Sequence, residues 1–423
     1  MLSTQTLRSL ASKAALLRPL PQPYLASMNP ALWSDSTHQR TDIVCHPHSG
    51  MKKPSPSPPP HKPNNFPNTY VNSLQRRHQI TCTPPPALGT FRPPAMQHWE
   101  ARPDRSLGSF GEGSTFTVPT MSYESLFDEE TSGANDELLA HLYATGIVLV
   151  KGTPTDDEGM RALADCVTGG HPTGKSKGGG PLRTLYGEVW HTSVGSQDKA
   201  TSTADSAYTS DSLPLHTDMT YHSTPPGLQI FNMATPAADG TGASTYLDGF
   251  AAAERLRTKN ADAFDFLTST AFTYRSVDAD MGWHLEASGP VIQLDPVDQH
   301  TVASVRHNDL DRLAAVPPPA VREQGEEEEA LWYERMERAF SAWDGVITEP
   351  GRRLIIKLEA GDCTIVHNRR VMHGRESFTL KEGDAARSIV GCYTDADNLE
   401  SRWRACFTKD IIKNKERFGT AKA

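Results

Sequence analysis

The stretch 213-LPLHTDMTYH-222 sets His216 and Asp218 two residues apart in a run that carries one acid and no Lys or Arg. On an extended strand, residues i and i+2 project to the same side, so both side chains reach a single ion. With 16 His in 423 residues, a His-x-Asp pair arises by chance about once. The pair therefore acquires meaning only from the rest of the chain.

A formal net charge of −9 and a pI near 6.0 argue against a general nucleic-acid binder, which would present a basic face. A small-molecule partner is expected, with neither nucleic acid nor membrane. No apolar run approaches the roughly 18 to 20 residues that a membrane helix needs. The six Cys are scattered, with no C-x-x-C pair, which excludes a disulfide scaffold and a zinc ribbon and points to a reducing compartment.

Four segments are expected. Residues 1–35 have Arg8, Lys13 and Arg18, many Ser, Ala and Leu, and no acid before Asp35, the makeup of a mitochondrial transit peptide. Residues 36–117 are rich in Pro, His, Ser and Asn (54-PSPSPPPHKP-63, 82-CTPPPAL-88) and carry too little apolar surface to offset the entropy of ordering. Residues 118–410 read as the globular domain, and 411–423 as a basic tail.

Within that domain, 135-NDELLAHLYATG-146 and 156-DDEGMRALADCV-167 read as helices flanking a buried strand at 147-IVLVKG-152. Short strand-like runs follow at 228–234, 244–249, 290–296, 301–307, 353–359, 363–368 and 386–394. Between them 327-EEEALWYERMERAFSAW-343 places Leu331, Met336, Phe340 and Trp343 on one helical face, a core-packing pattern. Many short strands with few intervening helices predict a mainly β domain with flanking helices, a double-stranded β-helix or jelly roll, over a doubly wound sheet.

One motif points elsewhere. The segment 169-GGHPTGKS-176 satisfies G-x-x-x-x-G-K-[S/T]. A phosphate-binding loop needs a strand before it and a helix after it. Here a helix is expected before it and KGGGPLRT follows, so a Gly-rich insertion is the better reading.

Two His and one carboxylate on one face of ferrous iron leave three positions open, two for a chelating cosubstrate and one for O2. The second His must come from a distant strand, and the candidates are His284, His300, His307, His367 and His373. His373 lies in 370-RVMHGRESF-378, and fourteen residues later Arg387 opens a strand. A guanidinium binds the distal carboxylate of 2-oxoglutarate through two parallel hydrogen bonds, with a hydroxyl such as that of Ser244 assisting. His307-x-Asp309 is a rival pair, though HNDLDRLAA reads as a helical turn rather than a strand.

The segments 184-TLYGEVW-190, 205-DSAYTSDSLPLHTDMTYHSTPPGLQIF-231, 240-GTGASTYLDGFAAAE-254, 306-RHNDLDR-312, 367-HNRRVMHGRESF-378 and 387-RSIVGCYTDADNL-399 occur in the order found in a known family. From about Ser122 to Phe407 the chain resembles the carnitine-pathway branch of the Fe(II)/2-oxoglutarate dioxygenases. The resemblance implies that His216, Asp218 and His373 hold iron and that Arg387 and Ser244 hold 2-oxoglutarate, with O2 as oxidant and ascorbate as the supporting reductant. It also implies an aromatic cage for a trimethylammonium substrate at Tyr186, Trp190, Tyr208 and Tyr393, with Asp205 and Asn308 on the substrate side. Such a cation donates no hydrogen bonds and is recognised by aromatic faces.

The implied activity is C-3 hydroxylation of Nε-trimethyllysine in the mitochondrial matrix, the first step toward carnitine. The alternatives are hydroxylation of γ-butyrobetaine and, more remotely, a metal-binding jelly roll without redox activity. A homodimer is the candidate assembly. The chain departs from the branch at its N-terminus, where Cys45, His46 and Cys82 in Pro-rich surroundings do not make a four-ligand zinc site.

Overall fold

Alternation between two facing sheets organises the domain. In the computed structural model the described residues are 105, 110–111, 116–128, 133–169, 179–195 and 209–413. The transit-peptide segment, the Pro-rich segment up to 104, Asp205, Tyr208 and the tail beyond 413 lie outside them, as does most of the Gly-rich insertion.

The strands are β1 (Thr120–Ser122), β2 (Ile147–Lys151), β3 (Val189–Val194), β4 (Leu213–His216), β5 (Leu228–Thr235), β6 (Ser244–Asp248), β7 (Phe272–Asp278), β8 (Trp283–Gly289), β9 (Ile292–Leu294), β10 (Val302–Val305), β11 (Leu354–Ile356), β12 (Cys363–His367), β13 (Val371–Arg375) and β14 (Arg387–Thr394). The helices are α1 (Tyr123–Phe127), α2 (Ala134–Thr145), α3 (Asp157–Thr168), α4 (Gly249–Lys259), α5 (Ala261–Ser269), α6 (Pro319–Arg322), α7 (Glu326–Ile347) and α8 (Ala396–Lys413).

One sheet runs β1-β2-β12-β5-β14-β3 and the other β11-β6-β13-β4. All their pairings are antiparallel except β1 with β2. Chain order explains the architecture: β4 lies in the smaller sheet, β5 in the larger, β6 in the smaller, and β11 through β14 alternate again. Strands that switch sheets at each turn wind a double-stranded β-helix, the jelly roll expected from the sequence.

Helices α2, α3 and α8 cover the outer face of the larger sheet, where Leu138, Leu142, Met160, Leu163, Ile365, Val390 and Trp403 form one core cluster. With both faces buried, β2 and β12 need no polar alternation, which is why IVLV is continuously apolar and CTIV carries a single polar residue, Thr364, paired with Tyr246. Asp156 caps α3, its carboxylate accepting from Gly159 N at 2.8 Å, and Gly146 ends α2 in the left-handed region at φ 80°.

A second cluster joins α4, α5 and α7 through Phe250, Phe264, Phe266, Trp332 and Trp343. The buried stripe of α7 is Trp332, Ala339, Trp343, Val346 and Ile347, with Met336 and Phe340 partly buried beside it. Leu331 is 45% exposed, one position off that stripe, contrary to the face expected from the sequence. Trp332, the larger aromatic, occupies the core side because i, i+4, i+7 and i+11 from 332 fall on one helical line. The β7–β8 hairpin was not legible as strands, since many of its positions face solvent, Val277 and Trp283 among them, and it carries no continuous apolar run.

Candidate metal centre and its cavity

Strand β4 ends at His216, and Asp218 stands in the turn beyond it, where Met219 adopts φ 54°. A non-glycine residue in that region carries local strain of order 1 kcal/mol, a feature that concentrates at functional sites. His373 sits in the middle of β13 and is the register partner of both His216 on β4 and Tyr246 on β6. His216, Asp218 and His373 each turn one donor atom into a group whose atoms all lie within 4.8 Å of one another. No other such trio of His, Cys, Asp or Glu occurs among the described residues.

The hydrogen-bond pattern fixes what these atoms offer. His216 Nδ1 lies 2.8 Å from the Pro214 carbonyl oxygen, so it donates there and leaves the Nε2 lone pair facing Asp218 Oδ1 at 3.3 Å. His373 Nε2 stands 3.5 Å from Asp218 Oδ2. Burial would raise the Asp218 pKa, but the two imidazoles outweigh it when they carry their protons and hold the carboxyl well below the usual range, so it is ionised. Two imidazole lone pairs and a carboxylate converging in a buried pocket are a donor set that fits a divalent cation.

The trio opens into a cavity of about 920 Å³. Ser244 and Arg387, both buried, are among the residues that line it. Arg387 is 2% exposed, its Nη2 has no hydrogen-bond partner, and its guanidinium lies 5.2 Å from the Phe378 ring. Burial, with the Arg375 charge adding to it, lowers its pKa to about 10, which still leaves it charged at neutral pH. A buried cation with an idle N–H beside an open cavity is suited to a carboxylate ligand.

Tyr186, Trp190 and Tyr393 line the same cavity, and the Trp190 and Tyr393 ring centroids are 5.8 Å apart. Gly391 makes this possible: it is the register partner of Trp190, and a Cβ there would fall onto the indole ring. Arg387 and Tyr393, six residues apart on β14, both line the cavity, as their even spacing predicts. Asn308 also lines it, anchored by donation to Asp311 Oδ2 at 3.0 Å and acceptance from Leu310 N at 3.0 Å.

The other candidate histidines are not among the converging donors, although His307 lines the same cavity. His307 Nδ1 accepts from Trp343 Nε1 at 3.3 Å, and Asp309 pairs with Arg312, so the rival pair is otherwise engaged. His367 packs its ring against Trp403, His300 contacts Arg257, and His284 is exposed.

A family model described as "Taurine catabolism dioxygenase TauD, TfdA family" matches residues 107–393. The chain belongs to the TauD, TfdA dioxygenase family. Among curated proteins, this TauD, TfdA family member is 28% identical over 289 residues to the mitochondrial trimethyllysine dioxygenase of Gallus gallus, covering 67% of this chain and 60% of that protein. It is 36% identical over 200 residues to the γ-butyrobetaine dioxygenase of a Pseudomonas species, covering 47% of this chain and 48% of that one. The chain thus spans about 60% of the length of the trimethyllysine dioxygenases that it matches. Among solved structures, PvcB of Pseudomonas aeruginosa is 16% identical, covering 61% of this chain and 79% of that one with a TM-score of 0.41.

Sequence reading missed several residues of this family member's cavity. Arg375 lines it two residues after His373 on the same strand face, a spacing that was available in the sequence. Tyr221 also lines it, only five residues beyond His216. Gln229 was signalled only by being a polar residue inside the apolar strand LQIFNMA.

Proposed function

We propose that this protein is an Fe(II)- and 2-oxoglutarate-dependent dioxygenase that hydroxylates C-3 of Nε-trimethyllysine. The observation that carries the reading is one cavity lined by three converging metal donors, a buried guanidinium with an idle N–H and an aromatic wall. His216, Asp218 and His373 would hold the iron, which when bound supplies the activation of O2. Arg387, assisted by Ser244, which lines the same cavity, would take the distal carboxylate of 2-oxoglutarate.

The protein's own part is positioning. Tyr186, Trp190 and Tyr393 offer aromatic faces to a cation that no hydrogen bond can hold, and so direct one C–H bond of the substrate toward the metal. Asn308 would meet the polar end of the substrate. Asp205 and Tyr208 complete the proposed substrate set from outside the described residues. The trimethyllysine dioxygenases among the relatives favour this substrate, and their names together with the N-terminal composition favour the mitochondrial matrix.

The similarity to a bacterial γ-butyrobetaine dioxygenase supports a second reading, with γ-butyrobetaine as substrate. One assay separates them: purified protein with Fe(II), ascorbate and 2-oxoglutarate, and succinate release measured with trimethyllysine, γ-butyrobetaine or neither. Stimulation by trimethyllysine is expected. Stimulation by γ-butyrobetaine alone would establish the second reading, and no stimulation by either would leave a metal-binding jelly roll without this activity.

A further inference from the structure

Asp218 is gripped at its carboxylate and at its backbone by side chains of other strands and turns, Gln229 eleven residues on and Asn368 and Tyr393 far along the chain. Gln229 on β5 and Tyr393 on β14 are cross-strand partners. From these adjacent positions Gln229 Nε2 and Tyr393 Oη both donate to the same atom, Asp218 Oδ2, the hydroxyl at 2.9 Å. Asn368, which is fully buried, holds the peptide: its Oδ1 accepts from Asp218 N at 2.8 Å and its Nδ2 donates to Asp218 O at 3.1 Å.

A carboxylate oxygen has two lone-pair sites, so the two donors saturate Oδ2. Oδ1 is left facing His216 Nε2 at 3.3 Å. Gln229 is 4% exposed, and a buried amide without partners would be costly; its nitrogen is satisfied by Asp218 and lies 3.0 Å from His373 Nε2. Strand β5 buries two amides: Asn232 donates to the carbonyls of Thr153 and Pro154, whereas the partners of Gln229 are the metal donors themselves.

We propose that Gln229 and Tyr393 are positioning residues that occupy one oxygen of Asp218, so that its carboxylate offers the metal a single oxygen. This rests on the reading of His216, Asp218 and His373 as the metal ligands. The consequence is chemical: a carboxylate binding through both oxygens would take one of the positions that a chelating cosubstrate and O2 require. Tyr393 also forms part of the aromatic wall with Trp190, so the residue that faces the substrate is the one that orients the ligand.

The test loads the full-length protein with Co(II), whose visible absorption reports coordination number and weakens as that number rises. Wild type, Gln229→Leu, Tyr393→Phe and Asp218→Ala are titrated with Co(II) alone, and thermal melting reports folding. Gln229→Leu and Tyr393→Phe should each weaken Co(II) binding about 10-fold and lower the band intensity, the effect size usual for residues that orient a ligand. Asp218→Ala should lose the band. If Asp218→Ala has lost binding while both other variants keep wild-type affinity and spectrum, the proposal is overturned and the ligand reading stands. If Asp218→Ala binds as wild type does, both are overturned. Should Gln229→Leu not fold, Tyr393→Phe, which keeps the ring and removes one oxygen, decides alone.

Discussion

His216 and His373 face each other as register partners on β4 and β13, with ring centroids 4.3 Å apart. A pair of buried imidazoles this close is unfavourable if both are charged, and becomes favourable when both are neutral and share a cation. Asp218 supplies the compensating charge from the turn that follows β4.

Replacing His373 by Ala removes one of three donors and should reduce bound iron per chain to near background. Metal content after gel filtration, measured for wild type and variant at equal Fe(II), checks this. A variant that retains stoichiometric iron would remove His373 from the centre.

Arg387→Lys keeps a charge but loses the planar fork that grips a carboxylate. The KM for 2-oxoglutarate should rise at least about 10-fold, with the KM for the trimethylammonium substrate little changed. A reversed pattern would place Arg387 at the substrate instead.

Gly391→Ala should do the opposite. The added methyl would meet the Trp190 ring and displace one aromatic wall of the cavity. Cation–π contacts in desolvated sites are worth up to about 2 kcal/mol, so the substrate KM should rise about 10-fold while that for 2-oxoglutarate stays put.

Stability depends on a different ion pair. Arg370 and Asp248, both 1% exposed, pair at 2.9 Å, Arg370 Nη1 also donates to the carbonyls of Tyr143 and Ala144, and Asp248 caps α4. Arg370→Met strands a buried carboxylate and should cost about 3 to 5 kcal/mol. Denaturant unfolding midpoints measure it; a loss below about 1 kcal/mol would show that water reaches Asp248.

Two buried histidines outside the centre make folding pH-dependent. Burial lowers His307 to about 4 and His367 well below its ordinary value, where Arg369 and Arg370 add to the effect. Above pH 6.5 both are neutral whether folded or not. Below it the unfolded chain takes up protons first, so stability falls as pH drops from 6.5 toward 4, by up to about 1.4 kcal/mol per pH unit for each. Melting temperature should decline across that window, and less steeply in His367→Leu; equal slopes would assign the acid sensitivity elsewhere.

Much of the site was legible because its signals are local. His216 and Asp218 share one decapeptide, and Arg387 and Tyr393 share one strand, where even spacing places both toward one side. Strand runs such as CTIV and SIVGCY announced themselves because burial on both faces favours apolar residues at most positions, Thr364 being accommodated by its hydrogen bond with Tyr246.

Composition and spacing along the chain thus favoured a jelly roll and supplied the pair His216 and Asp218 with a short set of candidates for the distant ligand. The family resemblance singled out His373 among five histidines, and folding decided how it meets Asp218 and which polar side chains hold that residue. Asn368 reaches it across 150 residues and Tyr393 across 175. Those choices depend on strand register between sheets, where a one-residue slip would turn each side chain to the opposite face, and register is a property of pairings that no short window contains.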